Sequence, residues 1–105
     1  MTKATRQELI KVATRYIWWE KPNEAVRRPL RVIAQAMNIG DFDDVQRMLA
    51  ILGEDSFREA LTHAEPGWFN ERSWHYWFYR LGLVAPGSRV PAMPKRIFNY
   101  PEPQA

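Results

Sequence analysis

Residues 73–82 read Ser-Trp-His-Tyr-Trp-Phe-Tyr-Arg-Leu-Gly, and this stretch decides the fold because one face of a helix cannot bury so many aromatic rings. In a helix, the residues at the spacing i, i+3, i+4 and i+7 form one apolar stripe: Trp74, Trp77, Phe78 and Leu81. The opposite side carries Arg72, Tyr76, Tyr79 and Arg80. We expect the stripe in the core. The other face must then be covered by the rest of the chain, by a protein partner or by nucleic acid.

Apolar residues at helical spacing predict four helices before this aromatic one. The first spans about residues 5–18, and residues 21–23 form a turn after it. The second has Pro29 in its first turn, where the missing N–H costs nothing. The third buries Phe42, Val45, Met48, Leu49 and Leu52, and a short fourth helix is capped by Asp55 or Ser56. Since no alternating pattern predicts a strand, the fold class is all-α, a compact bundle of about five short helices.

The segment Asn-Ile-Gly-Asp-Phe-Asp-Asp at residues 38–44 is the clearest break between two helices. Gly40 suits the left-handed position that closes one helix, and Asp41 suits the cap of the next. Asp43 and Asp44 lie favourably against the N-terminal dipole of the new helix. We therefore expect a tight corner, with these acids serving as structural caps.

The composition changes at residue 84, because the remaining prolines are spread over a segment without helical periodicity. We therefore divide the chain into a helical domain, residues 1–83, and an extended Pro-rich C-terminal arm, residues 84–105. Residues 93–100 of the arm are apolar enough to dock on a surface. Phe98 and Tyr100 in particular have little reason to lie in free solvent.

The composition argues against catalysis and against a bound cofactor or metal. The chain has no cysteine, and its two histidines, His63 and His75, do not share a metal-ligand spacing. The glycines form no phosphate-binding loop, and no nucleophile, base and orienting group come together in a motif. Because no such motif is present, we expect that the protein is not an enzyme. The N-terminus lacks a signal-like apolar run, so we expect a cytoplasmic protein.

Charge is unevenly distributed along the chain, although the net charge is only +3. Residues 1–40 hold eight Lys and Arg against three Asp and Glu, residues 41–71 hold two against eight, and residues 72–105 hold five against one. Such blocks either steer an oppositely charged partner or let segments of one small fold complement one another.

Two kinds of macromolecular partner fit these residues. Trp, Tyr and Arg dominate protein interfaces, and the candidate partner-binding residues are Trp18, Trp19, Arg72, Tyr76, Tyr79 and Arg80, with Lys95, Arg96, Phe98 and Tyr100 on the arm. The alternative is a nucleic-acid-binding regulator that uses Arg27, Arg28 and Arg31 with the Arg/Tyr face of the aromatic helix. The acids after the corner would repel phosphate from a recognition helix. A homodimer, in which each arm covers the other chain, also stays open.

A family resemblance is carried by three segments: residues 33–47 (Ile-Ala-Gln-Ala-Met-Asn-Ile-Gly-Asp-Phe-Asp-Asp-Val-Gln-Arg), 52–55 (Leu-Gly-Glu-Asp) and 70–77 (Asn-Glu-Arg-Ser-Trp-His-Tyr-Trp). Together with Trp18-Trp19 they resemble a family of small, largely uncharacterised bacterial helical proteins. Members are often encoded beside nucleotidyltransferase-like toxins of abortive-infection type and are suspected antitoxins. The resemblance covers roughly residues 17–83, and it implies a protein that binds and restrains a neighbouring toxin enzyme.

Overall fold

The computed structural model describes residues 3–94, without the side chain of Ala4, and these residues form six α-helices. The helices are α1 (Lys3–Tyr16), α2 (Pro22–Ala25), α3 (Pro29–Ile39), α4 (Phe42–Leu52), α5 (Glu54–Thr62) and α6 (Glu71–Arg80). No strand occurs in this part of the chain, so the all-α prediction is confirmed. The sixth helix is α2, where a turn was predicted; Pro22 begins it, and a single turn is too short to show apolar periodicity.

Helix α3 is the centre of the bundle and contacts each of the other five helices. Six consecutive residues of α3 are buried, from Val32 to Met37. A helix that is buried on every side needs neighbours all around it, and α1 and α5 cover it most extensively. Pro29 lies in the first turn of α3, as predicted.

The aromatic helix α6 buries the predicted stripe. Trp74, Trp77, Phe78 and Leu81 are each less than 8% exposed. The ring of Trp77 meets that of Phe57 on α5 edge to face, with 5.3 Å between the centroids. The predicted N-cap is also present, because Asn70 Oδ1 accepts a hydrogen bond of 2.8 Å from the backbone N–H of Ser73.

Helices α1 and α4 are joined through two buried carboxylates, Glu8 and Asp44. The hydroxyl of Tyr16 donates to Asp44 Oδ2, and Arg47 donates to Asp44 Oδ1 at 2.7 Å and to Glu8 Oε1 at 2.9 Å. The hydrogen bond from Tyr16, aided by Arg47, lowers the pKa of Asp44 below its ordinary value. Burial raises the pKa of Tyr16. Asp44 thus crosslinks two helices in addition to lying near a helix N-terminus.

Two details of α4 and α5 differ from the sequence predictions. Phe42 was expected in the core but is 75% exposed, because the buried face of α4 begins at Asp44 and Val45. Helix α5 begins at Glu54 without a side-chain cap, so neither Asp55 nor Ser56 caps it. Gly53 precedes it with a φ of 84°, and such a turn brings α4 directly into α5.

The chain after α6 folds back along that helix. Gly82, with a φ of 69°, ends α6, and the N–H of Leu83 donates to the carbonyl oxygen of Phe78 at 3.0 Å. The hydroxyl of Tyr79 then donates to the carbonyl oxygen of Ser88, and the indole of Trp74 donates to that of Pro91. Residues 84–94 of the predicted arm therefore pack on the helical body, where the side chain of Val90 is buried.

We expect Tyr16→Phe to lower the free energy of unfolding at neutral pH by about 1–3 kcal/mol, because it removes a hydrogen bond to a buried carboxylate. That hydrogen bond is the largest cause of the lowered pKa of Asp44, so its loss raises this pKa. A carboxyl group with a lowered pKa stabilises the fold above its unfolded-state pKa of about 3.9, and this stabilisation is lost as the pH falls through the folded-state pKa. Urea unfolding at several pH values measures the effect.

The difference in stability between Tyr16→Phe and the wild type should therefore narrow as the pH falls below about 4. Tyr76→Phe is the matched control, because Tyr76 is 56% exposed and its hydroxyl has no hydrogen-bond partner among residues 3–94. A difference that stays constant down to acid pH would contradict the link to Asp44.

Candidate partner-binding groove

The corner between α3 and α4 depends on a close backbone contact at Gly40. The N–H of Gly40 donates to the carbonyl oxygen of Ala36 at 2.7 Å, and a Cβ at Gly40 would collide with that same oxygen. The predicted left-handed conformation is wrong, because Gly40 has a φ of −69° and a ψ of 152°. Glycine is needed at this position because there is no room for a Cβ beside the carbonyl oxygen of Ala36. Asp41 then caps α4, as predicted, by accepting a hydrogen bond of 2.9 Å from the N–H of Asp44.

Helix α6 is fastened to the same end of α3. The last carbonyl groups of a helix lack partners within it, and two of those in α3 receive hydrogen bonds from α6. The indole N–H of Trp77 donates to the carbonyl oxygen of Met37 at 2.9 Å, and Ser73 Oγ donates to that of Asn38 at 3.2 Å. Asn38 Oδ1 in turn accepts from the N–H of Asn70 at 2.9 Å. The C-terminal end of α3 therefore lies against α6 and against the start of α4, and hydrogen bonds fix its contact with α6.

An open groove of about 450 Å³ lies between the start of α4 and one side of α6; we call it the α4–α6 groove. Buried side chains of Met37, Val45 and Trp77 form its base. Phe42 and Tyr76 line it as well and are 75% and 56% exposed. An aromatic pair this exposed on one small protein is a typical mark of an interaction surface.

The α4–α6 groove also carries two cationic groups, Arg72 and Arg80. Both side chains are exposed, and neither forms an ion pair or hydrogen bond with another residue of the described chain. The nearby Asp41 is already paired with Arg15 at 2.8 Å. The groove therefore combines an apolar base with positive charge that the fold itself leaves uncompensated.

A second surface, which combines exposed and buried Trp rings with Arg side chains, lies at the other end of α3. We call it the Trp–Arg surface, and it consists of Trp18, Trp19, Arg28, Arg31 and Trp68. The guanidinium of Arg31 lies 5.9 Å from the ring centroid of Trp19 and 5.6 Å from that of Trp68. Burial and the charge of Arg28 lower the pKa of Arg31. Trp18 and Trp19 are 74% and 51% exposed and meet edge to face.

The Trp–Arg surface borders a concavity of about 470 Å³ that is lined by Arg28, Arg31 and Trp68. Arg28 also pairs with Glu65 at 3.3 Å, which offsets part of its charge. Both residues of this pair are exposed, so the pair is weak. Arg27 is exposed and lines neither this concavity nor the α4–α6 groove.

The structure brings together some of the predicted site residues and separates others. Arg72, Tyr76 and Arg80 line one groove, whereas Tyr79 is bonded to Ser88 and does not line it. Trp18, Trp19, Arg28 and Arg31 lie on the separate Trp–Arg surface. Arg28 and Arg31 therefore line a different concavity from the Arg/Tyr face of α6. The predicted arm residues lie outside the described part of the chain: Lys95, Arg96, Phe98 and Tyr100.

Sequence reasoning missed Phe42 and Gln46 as groove residues. Phe42 has the right spacing from Val45 and Leu49 to be assigned to the core, and that spacing misled the prediction. The available signal was its position directly after the cap Asp41, at the first residue of α4.

Within residues 3–94 the structure shows neither a metal-binding cluster of side chains nor a helix that could span a membrane. No group of three or more His, Asp or Glu side chains in that range is arranged to hold a metal ion. None of the six helices combines the length and the hydrophobicity that a membrane-spanning helix requires.

Comparisons with protein-family models, with curated proteins and with solved structures find no match to this chain. The family resemblance of residues 17–83 therefore stays a prediction.

We expect Gly40→Ala to lower the free energy of unfolding by about 1–3 kcal/mol, because its Cβ would press on the backbone of α3. Amide resonances around the α4–α6 groove should shift as well, since α4 has to move. Urea unfolding and a heteronuclear NMR spectrum measure the two effects. An unchanged or increased stability would contradict the steric argument, because alanine otherwise stabilises such a position by restricting the unfolded chain.

Proposed function

We propose that this protein is a cytoplasmic, non-enzymatic binding module of antitoxin type, which binds and neutralises a toxin-type nucleotidyltransferase in a bacterial toxin–antitoxin or phage-defence locus. The observation that supports a binding role is the α4–α6 groove, in which Phe42 and Tyr76 are exposed beside two unpaired arginines. The resemblance of residues 17–83 to suspected antitoxins supplies the kind of partner.

The exposed rings of the groove can supply the central apolar contacts of an interface. Covering an exposed aromatic ring contributes about 1.5–3 kcal/mol through burial of apolar surface. Phe42 and Tyr76 are therefore suited to the centre of an interface, which a few buried aromatic and Arg side chains usually dominate. Neutralisation then needs no chemistry in this chain, since occupying the toxin surface blocks access of its substrate.

The test is co-expression of the full chain with the toxin-type protein encoded beside it, followed by co-purification and a growth assay. The wild type should form a complex and relieve toxicity. We expect the double variant Phe42→Ala/Tyr76→Ala to weaken the complex by about tenfold or more, because it removes both exposed rings of the groove. Isothermal titration calorimetry gives the affinity.

The matched control for this experiment is Ile51→Ala, which truncates an apolar side chain that is 42% exposed and lies outside the groove. Its complex should keep the wild-type affinity. The absence of any complex would contradict the proposed function. A complex that the double variant leaves unchanged would contradict the role of the groove.

A second candidate function is nucleic-acid binding, and the Trp–Arg surface is the observation that favours it. Exposed Trp rings stack on unpaired bases, and Arg28 and Arg31 are placed to contact phosphate. Two nearby acids, Glu20 and Glu65, offset part of the positive charge of this region. The surface therefore fits single strands with modest affinity.

Binding of a fluorescent single-stranded oligonucleotide at low salt tests this candidate. We expect the affinity to fall steeply as salt increases, because phosphate contacts release counterions. Arg28→Ala/Arg31→Ala should reduce the slope of that dependence, whereas the exposed Arg6→Ala should not. A protein that retains no oligonucleotide at low salt would exclude this candidate.

A further inference from the structure

We propose that the α4–α6 groove binds an extended acidic segment of the partner protein, in which two carboxylates flank an apolar anchor at alternating positions. The inference rests on the proposed function, which supplies the protein partner. It adds the chemistry of the segment that is recognised: acid, any residue, apolar residue, any residue, acid.

The spacing of three side chains on α6 sets the pattern. Arg72, Tyr76 and Arg80 follow one another at four-residue intervals, which separates neighbours by about 6 Å along the helix axis. In an extended peptide, every second side chain faces the same way, and these are about 6.6 Å apart. An acidic, an apolar and a second acidic side chain at alternate positions therefore meet Arg72, Tyr76 and Arg80 in register.

The shape and polarity of the groove fit the central apolar side chain. Val45 and Trp77 provide a buried apolar base, and the rings of Phe42 and Tyr76 stand exposed beside it. The volume of about 450 Å³ is enough for one large side chain together with its main chain. A sugar–phosphate chain would leave this apolar base uncovered, so the groove favours a peptide over a nucleic acid.

Unused amide groups in the groove favour an extended segment over a helical one. Asn38 and Asn70 each use the side-chain oxygen within the fold, and their NH₂ groups have no acceptor in the described chain. The side chain of Gln46 forms no hydrogen bond within the described chain. A helix satisfies its own backbone, whereas an extended segment needs such donors and acceptors for its main chain.

The charge of the groove is complementary to carboxylates. Neither Arg72 nor Arg80 is paired with an acid of the described chain, and the exposed Asp43 and Glu71 form no ion pair with them. A partner carboxylate gains a bidentate contact with each guanidinium without displacing an existing one. Two such contacts fix both the register and the direction of the bound segment.

Synthetic peptides binding to the full chain test the pattern. The probe is Gly-Pro-Glu-Thr-Phe-Thr-Glu-Pro-Gly, whose prolines disfavour a helix. The control peptide, Gly-Pro-Glu-Glu-Phe-Thr-Thr-Pro-Gly, has the same composition with the second carboxylate moved. Titration calorimetry and NMR shifts should show about tenfold tighter binding of the probe, centred on the groove. Equal binding of both peptides, or shifts elsewhere, would overturn the inference.

Charge-reversal variants test whether Arg72 and Arg80 bind the carboxylates of the probe. We expect Arg72→Glu and Arg80→Glu each to weaken probe binding by about tenfold, because each replaces an attraction with a repulsion. The exposed Arg6→Glu on α1 changes the net charge equally and should have no effect. Arg80→Gln is the second variant if Arg80→Glu weakens the end of α6. The double variant Arg72→Glu/Arg80→Glu should instead bind a probe peptide that has Lys in place of both Glu residues.

The experiments distinguish failure of the acidic-segment inference from failure of the proposed function. A complex with the toxin-type protein that Arg72→Glu and Arg80→Glu leave unchanged overturns the acidic-segment inference and leaves the proposed function intact. Patterned peptide binding without any toxin complex supports the acidic-segment recognition and counts against the proposed function. Oligonucleotide binding that depends on Arg72 and Arg80, with no peptide binding, overturns the inference in favour of nucleic acid.

Discussion

The hydrogen bond from the indole of Trp77 to the carbonyl oxygen of Met37 is the contact on which the rest of the structure depends. It joins the aromatic helix to the C-terminal turn of α3, the helix that every other helix contacts. An unpaired carbonyl at that buried place would be costly, so the contact both satisfies α3 and sets the position of α6. Phe57 packs against the same ring and adds α5 to the arrangement. The α4–α6 groove exists because this junction leaves space on one side of α6 and fills the other.

On the other side of the bundle, Asp44 joins two helices, as Trp77 does for α3 and α6. Its buried carboxylate is shared among Tyr16, Arg47 and Arg15, and this network holds α4 against α1. A buried charge is tolerated only where hydrogen bonds and opposite charge replace its hydration, and all of these partners are present. Part of the block of acids in residues 41–71 is therefore used within the fold, where Asp41 and Asp44 neutralise Arg15 of α1. The arginines of α6 are left without such compensation, and this contrast is what gives the groove its positive charge.

Most of the fold was predictable from local patterns, and the failures have identifiable causes. The stripe from Trp74 to Leu81 and the caps Asp41 and Asn70 were correct, because spacing and capping are properties of a single helix. Phe42 was wrongly assigned to the core, because periodicity predicts which residues share a face and not where that face ends. The conformation of Gly40 was wrong for a related reason: its need for glycine comes from contact with Ala36 and not from its own dihedral angles.

The sequence by itself determined the all-α class, the approximate positions of the helices and the presence of a second, polar aromatic face on α6. Composition also indicated binding residues, since Trp, Tyr and Arg are abundant in this chain. Only the tertiary structure decided that Arg72, Tyr76 and Arg80 share a groove with Phe42, while Arg28 and Arg31 lie with Trp19 and Trp68. The physical reason is that helical spacing is local, whereas a groove is formed by residues far apart in sequence. Their proximity depends on how the helix ends at Met37, Gly40 and Asn70 satisfy one another.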